Sequence, residues 1–87
     1  MTQYSKLLVR VLRGQADTNI AFAELCGLLR YLGFQERIRG DHHVFTQTGV
    51  LEILNLQPKG SHAKPYQVRQ VREIIVRYRL GGEDDTI

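Results

Sequence analysis

The chain has 87 residues, of which 43% are hydrophobic and 24% charged, as is typical of one small globular domain. No apolar run is long enough to cross a membrane or to serve as a signal peptide, and the single cysteine excludes an internal disulfide, so we expect a cytoplasmic protein. The formal net charge is +3, and three of the nine acids lie in the last five residues, so the rest of the chain is more basic and favours phosphate-bearing partners.

The chain begins with a predicted amphipathic helix over residues 4–13, which has leucine and valine on one face and lysine and arginine on the other. Gly14 ends this helix, and residues 15–19 form a polar connector. We treat residues 1–19 as a separate leading segment and expect it to be the least firmly docked part of the protein.

A second helix is predicted more clearly. Its apolar residues recur at helical spacing and form one core-facing stripe, Phe22, Leu25, Leu29 and Leu32. Gly33 suits the left-handed conformation that closes a helix, and Phe34 can then fold back on Leu29. Cys26 lies beside the stripe and is interpreted as a small buried hydrophobic residue, since no base is near it in sequence.

Three extended segments follow and are predicted to pair as an antiparallel sheet. They cover residues 34–39, 42–47 and 51–56, and Gly40 and Gly49 supply the tight turns between them. The register of the last segment stays open at this point, because it has leucine or isoleucine on both of its faces.

A loop and a final helix complete the predicted order. Residues 57–64 form a loop by composition, and Pro65 suits the first turn of a helix that Gly81 and Gly82 end. Residues 81–87 are an acidic tail that we expect to be frayed. The sequence therefore predicts an α+β protein in the order α-β-β-β-α, with a three-stranded antiparallel sheet, helices on one face and an extra N-terminal helix.

Residues 39–45 concentrate the groups that carry chemistry. His42 and His43 are adjacent in a predicted strand, so their side chains point to opposite faces and do not readily chelate one metal. No pair of ligands has the spacing of a helical or zinc-finger site, so we expect no metal and no cofactor. A solvent-facing imidazole suits proton transfer near neutral pH, and the alternative is that both histidines are ordinary strand residues held by local hydrogen bonds.

RNA cleavage is one reaction that such a site can perform. RNA carries its own nucleophile, the 2′-hydroxyl, so an enzyme needs a base, an acid and cations for the phosphate. One histidine with basic neighbours meets much of that need without a cofactor. The candidate cations are Arg39, Lys59, Lys64, Arg69 and Arg72, and the alternative is that they form only a solvated surface.

The same stretch resembles the HicA mRNA interferase toxins. In that family a helix ending in Leu-Gly-Phe leads to a strand, then to Gly-x-His followed by an aromatic residue, then to further strands and a final helix. Here the corresponding elements are Leu32-Gly33-Phe34, residues 39–45, Leu54-Asn55-Leu56-Gln57 and the helix from Pro65 to Leu80. The resemblance covers residues 20–80, which we treat as a HicA-like domain.

The resemblance implies a fold like that of double-stranded-RNA-binding domains. It implies a metal-independent endoribonuclease that cleaves mRNA and arrests growth, as the toxin of a type II toxin–antitoxin pair, with a HicB-type antitoxin as the partner that covers the active histidine. The catalytic histidine of the family lies two positions after the glycine, so the role of general acid or base falls on His42.

One position departs from the family pattern. The family usually has serine between the glycine and the histidine, and this chain has Asp41. A carboxylate there repels an incoming phosphate, so we expect weakened activity. Two alternatives stay open on the same fold: a non-catalytic RNA-binding module, and a protein-interaction domain that no longer contacts RNA.

Overall fold

The computed structural model describes residues 3–82 and has the α+β fold that the sequence predicts. In chain order the elements are α1 (Gln3–Arg13), α2 (Phe22–Tyr31), β1 (Gln35–Arg39), β2 (His42–Gln47), β3 (Val50–Leu56), β4 (Pro58–Lys59), β5 (His62–Ala63) and α3 (Pro65–Tyr78). The part of the predicted frayed tail from Glu83 to Ile87 lies outside the described residues. Among the described helices, none combines the length and the apolar character that a membrane span requires.

The three longer strands form one antiparallel sheet in the order β1-β2-β3. β1 and β2 pair without interruption. Between β2 and β3 the register shifts after Phe45, which pairs with Leu54, so that Gln47 pairs with Val50. Such an irregularity adds residues to one strand and increases the local twist. Here three residues of β3, 51–53, lie opposite the single residue Thr46 of β2.

The sheet has one face covered by helices and one open face. On the covered face Phe45, Leu54 and Leu56 are fully buried. Leu51 and Ile53 point the other way, with 91% and 63% of their surface exposed. Because successive side chains of a strand alternate between faces, the register that the sequence left open is settled, and each strand residue belongs to a known face.

α2 supplies a large part of the core and ends as the sequence predicts. Leu25, Leu28 and Leu29 are fully buried. Gly33 has a φ of 102°, and the N–H of Phe34 donates to the carbonyl of Leu29 at 3.0 Å. This is the hydrogen bond of a Schellman ending, and it directs the chain from the helix into β1.

α1 belongs to the same core, so the expectation of a loosely docked N-terminal segment is wrong. Leu7, Leu8 and Val11 are buried, and α1 packs on both α2 and α3. Arg72 of α3 binds the connector that follows α1, with bonds of 2.9 and 3.1 Å to the two carboxylate oxygens of Asp17. It also donates to the carbonyl of Val11 at 3.1 Å, which ties the two helices together.

The segment 57–64, predicted as a loop, contains a small hairpin. β4 and β5 pair antiparallel around Gly60, whose φ of 62° suits a tight turn. The N–H of Ala63 donates to the carbonyl of Ile20 at 2.9 Å, so the hairpin is anchored beside the start of α2. Strands of two residues, one of them beginning with proline, have too little pattern for sequence analysis to detect.

α3 ends at Tyr78, before the glycine pair that was predicted to end it. Arg79 instead adopts the left-handed conformation, with a φ of 53°, and the N–H of Leu80 donates to the carbonyl of Ile75 at 3.0 Å. The left-handed conformation costs a residue with a side chain roughly 1–2 kcal/mol. The hydrogen bond and the packing of Leu80 hold Arg79 there.

We predict that Arg79→Gly raises the free energy of unfolding by about 0.5–1 kcal/mol, because glycine adopts positive φ without strain while making the unfolded chain more flexible. Arg69→Gly, at an exposed position inside α3, is the control and is expected to lower stability by about 1 kcal/mol. Urea unfolding followed by circular dichroism measures both. Equal destabilisation by the two changes would mean that residue 79 is helical.

Candidate functional site on the open face of the sheet

The open face brings two arginines beside His42. The β1–β2 register pairs Arg39 with His42 and Arg37 with Val44, so both arginines project from the same face as His42. Asn55 of β3 lies opposite Val44 on its other side. Both guanidinium groups are exposed, and neither has an ion-pair partner within residues 3–82. This end of the sheet therefore presents free positive charge around an imidazole.

The His42 ring is held at both nitrogens. Nδ1 lies 3.1 Å from Oδ1 of Asn55, and Nε2 lies 3.2 Å from Nε2 of Gln57. An amide oxygen on one side and an amide nitrogen on the other fit a neutral ring in which Nδ1–H donates to Asn55 and Nε2 accepts from Gln57. The side chain is 47% exposed. Its unprotonated nitrogen can therefore be reached from solvent once the Gln57 amide moves aside.

Asp41, in the turn between β1 and β2, lies close to the same nitrogen. Its Oδ2 accepts a hydrogen bond from Gln57 at 3.2 Å, and its Oδ1 is 3.9 Å from Nε2 of His42. The side chain is 68% exposed, so water screens its charge in part. The carboxylate nevertheless lies where it repels an anion that approaches Nε2.

Gln67 of α3 positions Gln57. Its side chain is 1% exposed, and its amide nitrogen donates to the carbonyl of Gln57 at 2.9 Å while its amide oxygen accepts from the N–H of Gln57 at 3.0 Å. A helix on the covered side thus fixes the residue that contacts His42. Sequence analysis missed Gln67, and the available signal was a polar residue on the helix face that also carries Val71 and Ile74.

His43 faces the covered side, which confirms the prediction that the two histidines point to opposite faces. Its Nδ1 lies 2.7 Å from Oε2 of Glu36, and its ring packs edge-on against Phe22 with the ring centroids 4.9 Å apart. Arg30 binds the other oxygen of Glu36. Burial raises the pKa of Glu36, but the hydrogen bonds from His43 and Arg30 outweigh it, and the net shift is downward.

Cys26 lies close to this pair. One potential ligand atom from each of Cys26, Glu36 and His43 lies within 4.8 Å of the other two. Cys26 is 3% exposed, in agreement with its interpretation as a buried residue, and burial together with the Glu36 carboxylate raises the pKa of its thiol to about 11. The thiol is therefore protonated at neutral pH and is no nucleophile. Among the residues that the structure describes, these three side chains are grouped closely enough to hold a metal, and their spacing in sequence gave no sign of it.

The predicted RNA-contacting cations occupy different environments. Arg39 lies beside His42, as described above, while Lys59 and Arg69 are exposed on the hairpin and on α3. Lys64 is half-buried at the start of α3. Arg72 is only 22% exposed and is engaged by the connector after α1, so it is not a free cation. Arg37 was not selected from the sequence, although its position two residues before Arg39 placed it on the same strand face.

Comparisons with models of protein families, with curated proteins and with solved structures found no match to this chain.

We predict that Arg72→Ala lowers the free energy of unfolding by about 2 kcal/mol, because it leaves Asp17 and the carbonyl of Val11 without their partner; this is less than the cost of breaking a fully buried pair. Arg69→Ala removes the same charge from an exposed position of the same helix and is expected to change stability by less than about 0.5 kcal/mol. Chemical denaturation of both variants measures the difference. Unchanged stability of Arg72→Ala would contradict the anchoring role.

Proposed function

We propose that this chain is an endoribonuclease that cleaves mRNA in the cytoplasm, as the toxin of a type II toxin–antitoxin pair similar to the HicA toxins. The observation that carries the proposal is the half-exposed His42 imidazole, held at both nitrogens on the open face of the sheet. Arg37 and Arg39 on the same face supply the charge that an RNA backbone requires.

His42 acts on the nucleophile that RNA itself carries. A substrate 2′-hydroxyl displaces the Gln57 amide from Nε2, which accepts the hydroxyl proton as O2′ attacks the adjacent phosphorus. The bond from phosphorus to O5′ of the next nucleotide breaks, leaving a 2′,3′-cyclic phosphate and a 5′-hydroxyl. In-line attack places the leaving oxygen on the side of phosphorus opposite O2′ and away from His42, so water protonates it. Asn55 accepts Nδ1–H throughout and stabilises the ring when it becomes charged.

The two arginines bind the backbone and offset the charge that develops on the phosphate. They lie two residues apart on β1, so their Cα atoms are separated by roughly 6.8 Å along the strand. That spacing allows them to contact successive phosphates of an extended RNA strand. The exposed Leu51 and Ile53 on the same face supply an apolar surface for a HicB-type antitoxin to cover.

The alternative function is an RNA-binding module without catalysis, and Asp41 is the observation that favours it. Its carboxylate oxygen is 3.9 Å from the nitrogen that must approach the reacting nucleotide. If repulsion between this carboxylate and the phosphate prevents productive approach, the arginines still bind RNA but His42 does not react.

We predict that His42→Ala slows cleavage of a fluorescent RNA by about 100-fold or more under single-turnover conditions, because the general base is lost. His62→Ala, at the exposed position of β5, is the matched control and is expected to cleave at the wild-type rate. Analysis of the product ends tests the mechanism, which requires a cyclic phosphate. Equal cleavage rates for wild type and His42→Ala would refute the assignment of His42 as the general base. RNA binding by wild type without cleavage would support the alternative function, an RNA-binding module without catalysis.

We predict that Asp41→Asn accelerates cleavage about fivefold at low salt, because it removes the repulsion between the carboxylate and the phosphate that approaches Nε2 of His42. Two unit charges about 4 Å apart in a high-dielectric setting repel by roughly 1 kcal/mol. The amide keeps the shape of the side chain and can still accept from Gln57. The gain is expected to shrink as salt is added. Slower cleavage by Asp41→Asn would instead show that the carboxylate takes part in the reaction.

A further inference from the structure

We propose that Cys26, Glu36 and His43 bind one zinc-class divalent ion at a site separate from the open face of the sheet. Each ligand comes from a different element, α2, β1 or β2, and the three ligand atoms lie within 4.8 Å of one another. Thiolate, imidazole and carboxylate are the side-chain ligands that Zn²⁺ takes in proteins. The site lies between α2 and the covered face, with His43 directed away from the His42 face.

The positions of the ligand atoms suit a tetrahedral ion after a modest adjustment. Bonds of about 2.0–2.3 Å to zinc set neighbouring ligand atoms roughly 3.3–3.7 Å apart. A separation of 4.8 Å, the widest that the cluster allows, must therefore contract by about 1.1–1.5 Å, and the 2.7 Å between Nδ1 of His43 and Oε2 of Glu36 must lengthen by about 0.6–1 Å. Side-chain rotation supplies a movement of that size. The ion replaces the hydrogen bond between His43 and Glu36, and the Cys26 thiol releases its proton to solvent and ligates as thiolate.

The surroundings already orient two of the ligands. Arg30 binds Oε1 of Glu36 and leaves Oε2 directed at His43, while Phe22 packs edge-on against the His43 ring and fixes its plane. Outer contacts of this kind orient ligands in metal sites. The side chains of Glu36 and His43 are 12% and 21% exposed, which gives an ion a route from solvent and leaves the fourth position to a water molecule.

An ion also explains why the thiol is placed beside the carboxylate. Burial of Cys26 as a hydrophobic residue accounts for its position in α2, but not for its approach to Glu36. Within residues 3–82 no hydrogen bond joins the two side chains, and the carboxylate disfavours the thiolate form. A divalent ion makes both groups ligands and links α2 to β1 and β2, so it is expected to stabilise the fold by binding the folded chain.

A cobalt titration of the full chain tests the site. Co²⁺ is expected to bind at one ion per chain, with a thiolate-to-cobalt charge-transfer band and the visible bands of tetrahedral coordination, and Zn²⁺ is expected to displace it. Cys26→Ala should abolish the charge-transfer band and weaken binding by about 100-fold or more, since loss of even an outer contact commonly costs 10–100-fold. His42→Ala is the matched control: it removes the neighbouring imidazole from the opposite face and should leave the spectrum and the affinity unchanged.

Two outcomes overturn the proposal: a wild-type spectrum without the charge-transfer band, or Cys26→Ala binding cobalt as tightly as wild type. Circular dichroism shows whether each variant is folded. If Cys26→Ala does not fold, Glu36→Gln provides the same test, because it keeps the side-chain shape and removes the carboxylate ligand. Unchanged cobalt affinity in a folded Glu36→Gln protein would equally contradict the site.

Discussion

The burial of Phe45 is the constraint on which the rest of the arrangement depends. This side chain is fully enclosed between the sheet and the helices, and it fixes which residues of β2 face inwards. Because side chains alternate along a strand, His43 must then face the core and His42 the open side. A shift of β2 by one residue would exchange the two histidines and would also move Phe45 into solvent, at a cost of several kcal/mol for a large aromatic residue.

The two faces of the sheet thereby acquire different chemistry. The open face carries an exposed imidazole with exposed arginines beside it, which is suited to a polyanion. The covered face carries an imidazole held by a carboxylate and packed on an aromatic ring, with a thiol beside it. On both faces the strands and helices hold most of these side chains. The strands and α2 carry the side chains themselves, and α3 holds the backbone of Gln57 through Gln67. The proposed activity therefore belongs to the rigid part of the fold.

Local patterns were enough to predict the helices, the three main strands and the opposite orientation of the two histidines. The turn after α2 is an example, since Gly33 and Phe34 specify that ending within a few residues of sequence. What escaped prediction depends on contacts between distant segments. Arg72 looked like a surface cation until Asp17, 55 positions earlier, was found to engage it. The approach of Cys26 to Glu36 and His43 likewise follows from how α2 packs on the sheet, which no spacing in the sequence encodes.

The central claim is that the open face around His42 receives RNA. The most direct test is a titration of the ¹⁵N-labelled protein with an RNA strand whose 2′-hydroxyl groups are replaced by hydrogen, so that binding occurs without cleavage, followed by amide and imidazole resonances. We expect the largest changes at Arg37, Arg39, His42 and Asn55. Changes confined to the outer side of α3 around Arg69, with the resonances of the open face unmoved, would contradict it.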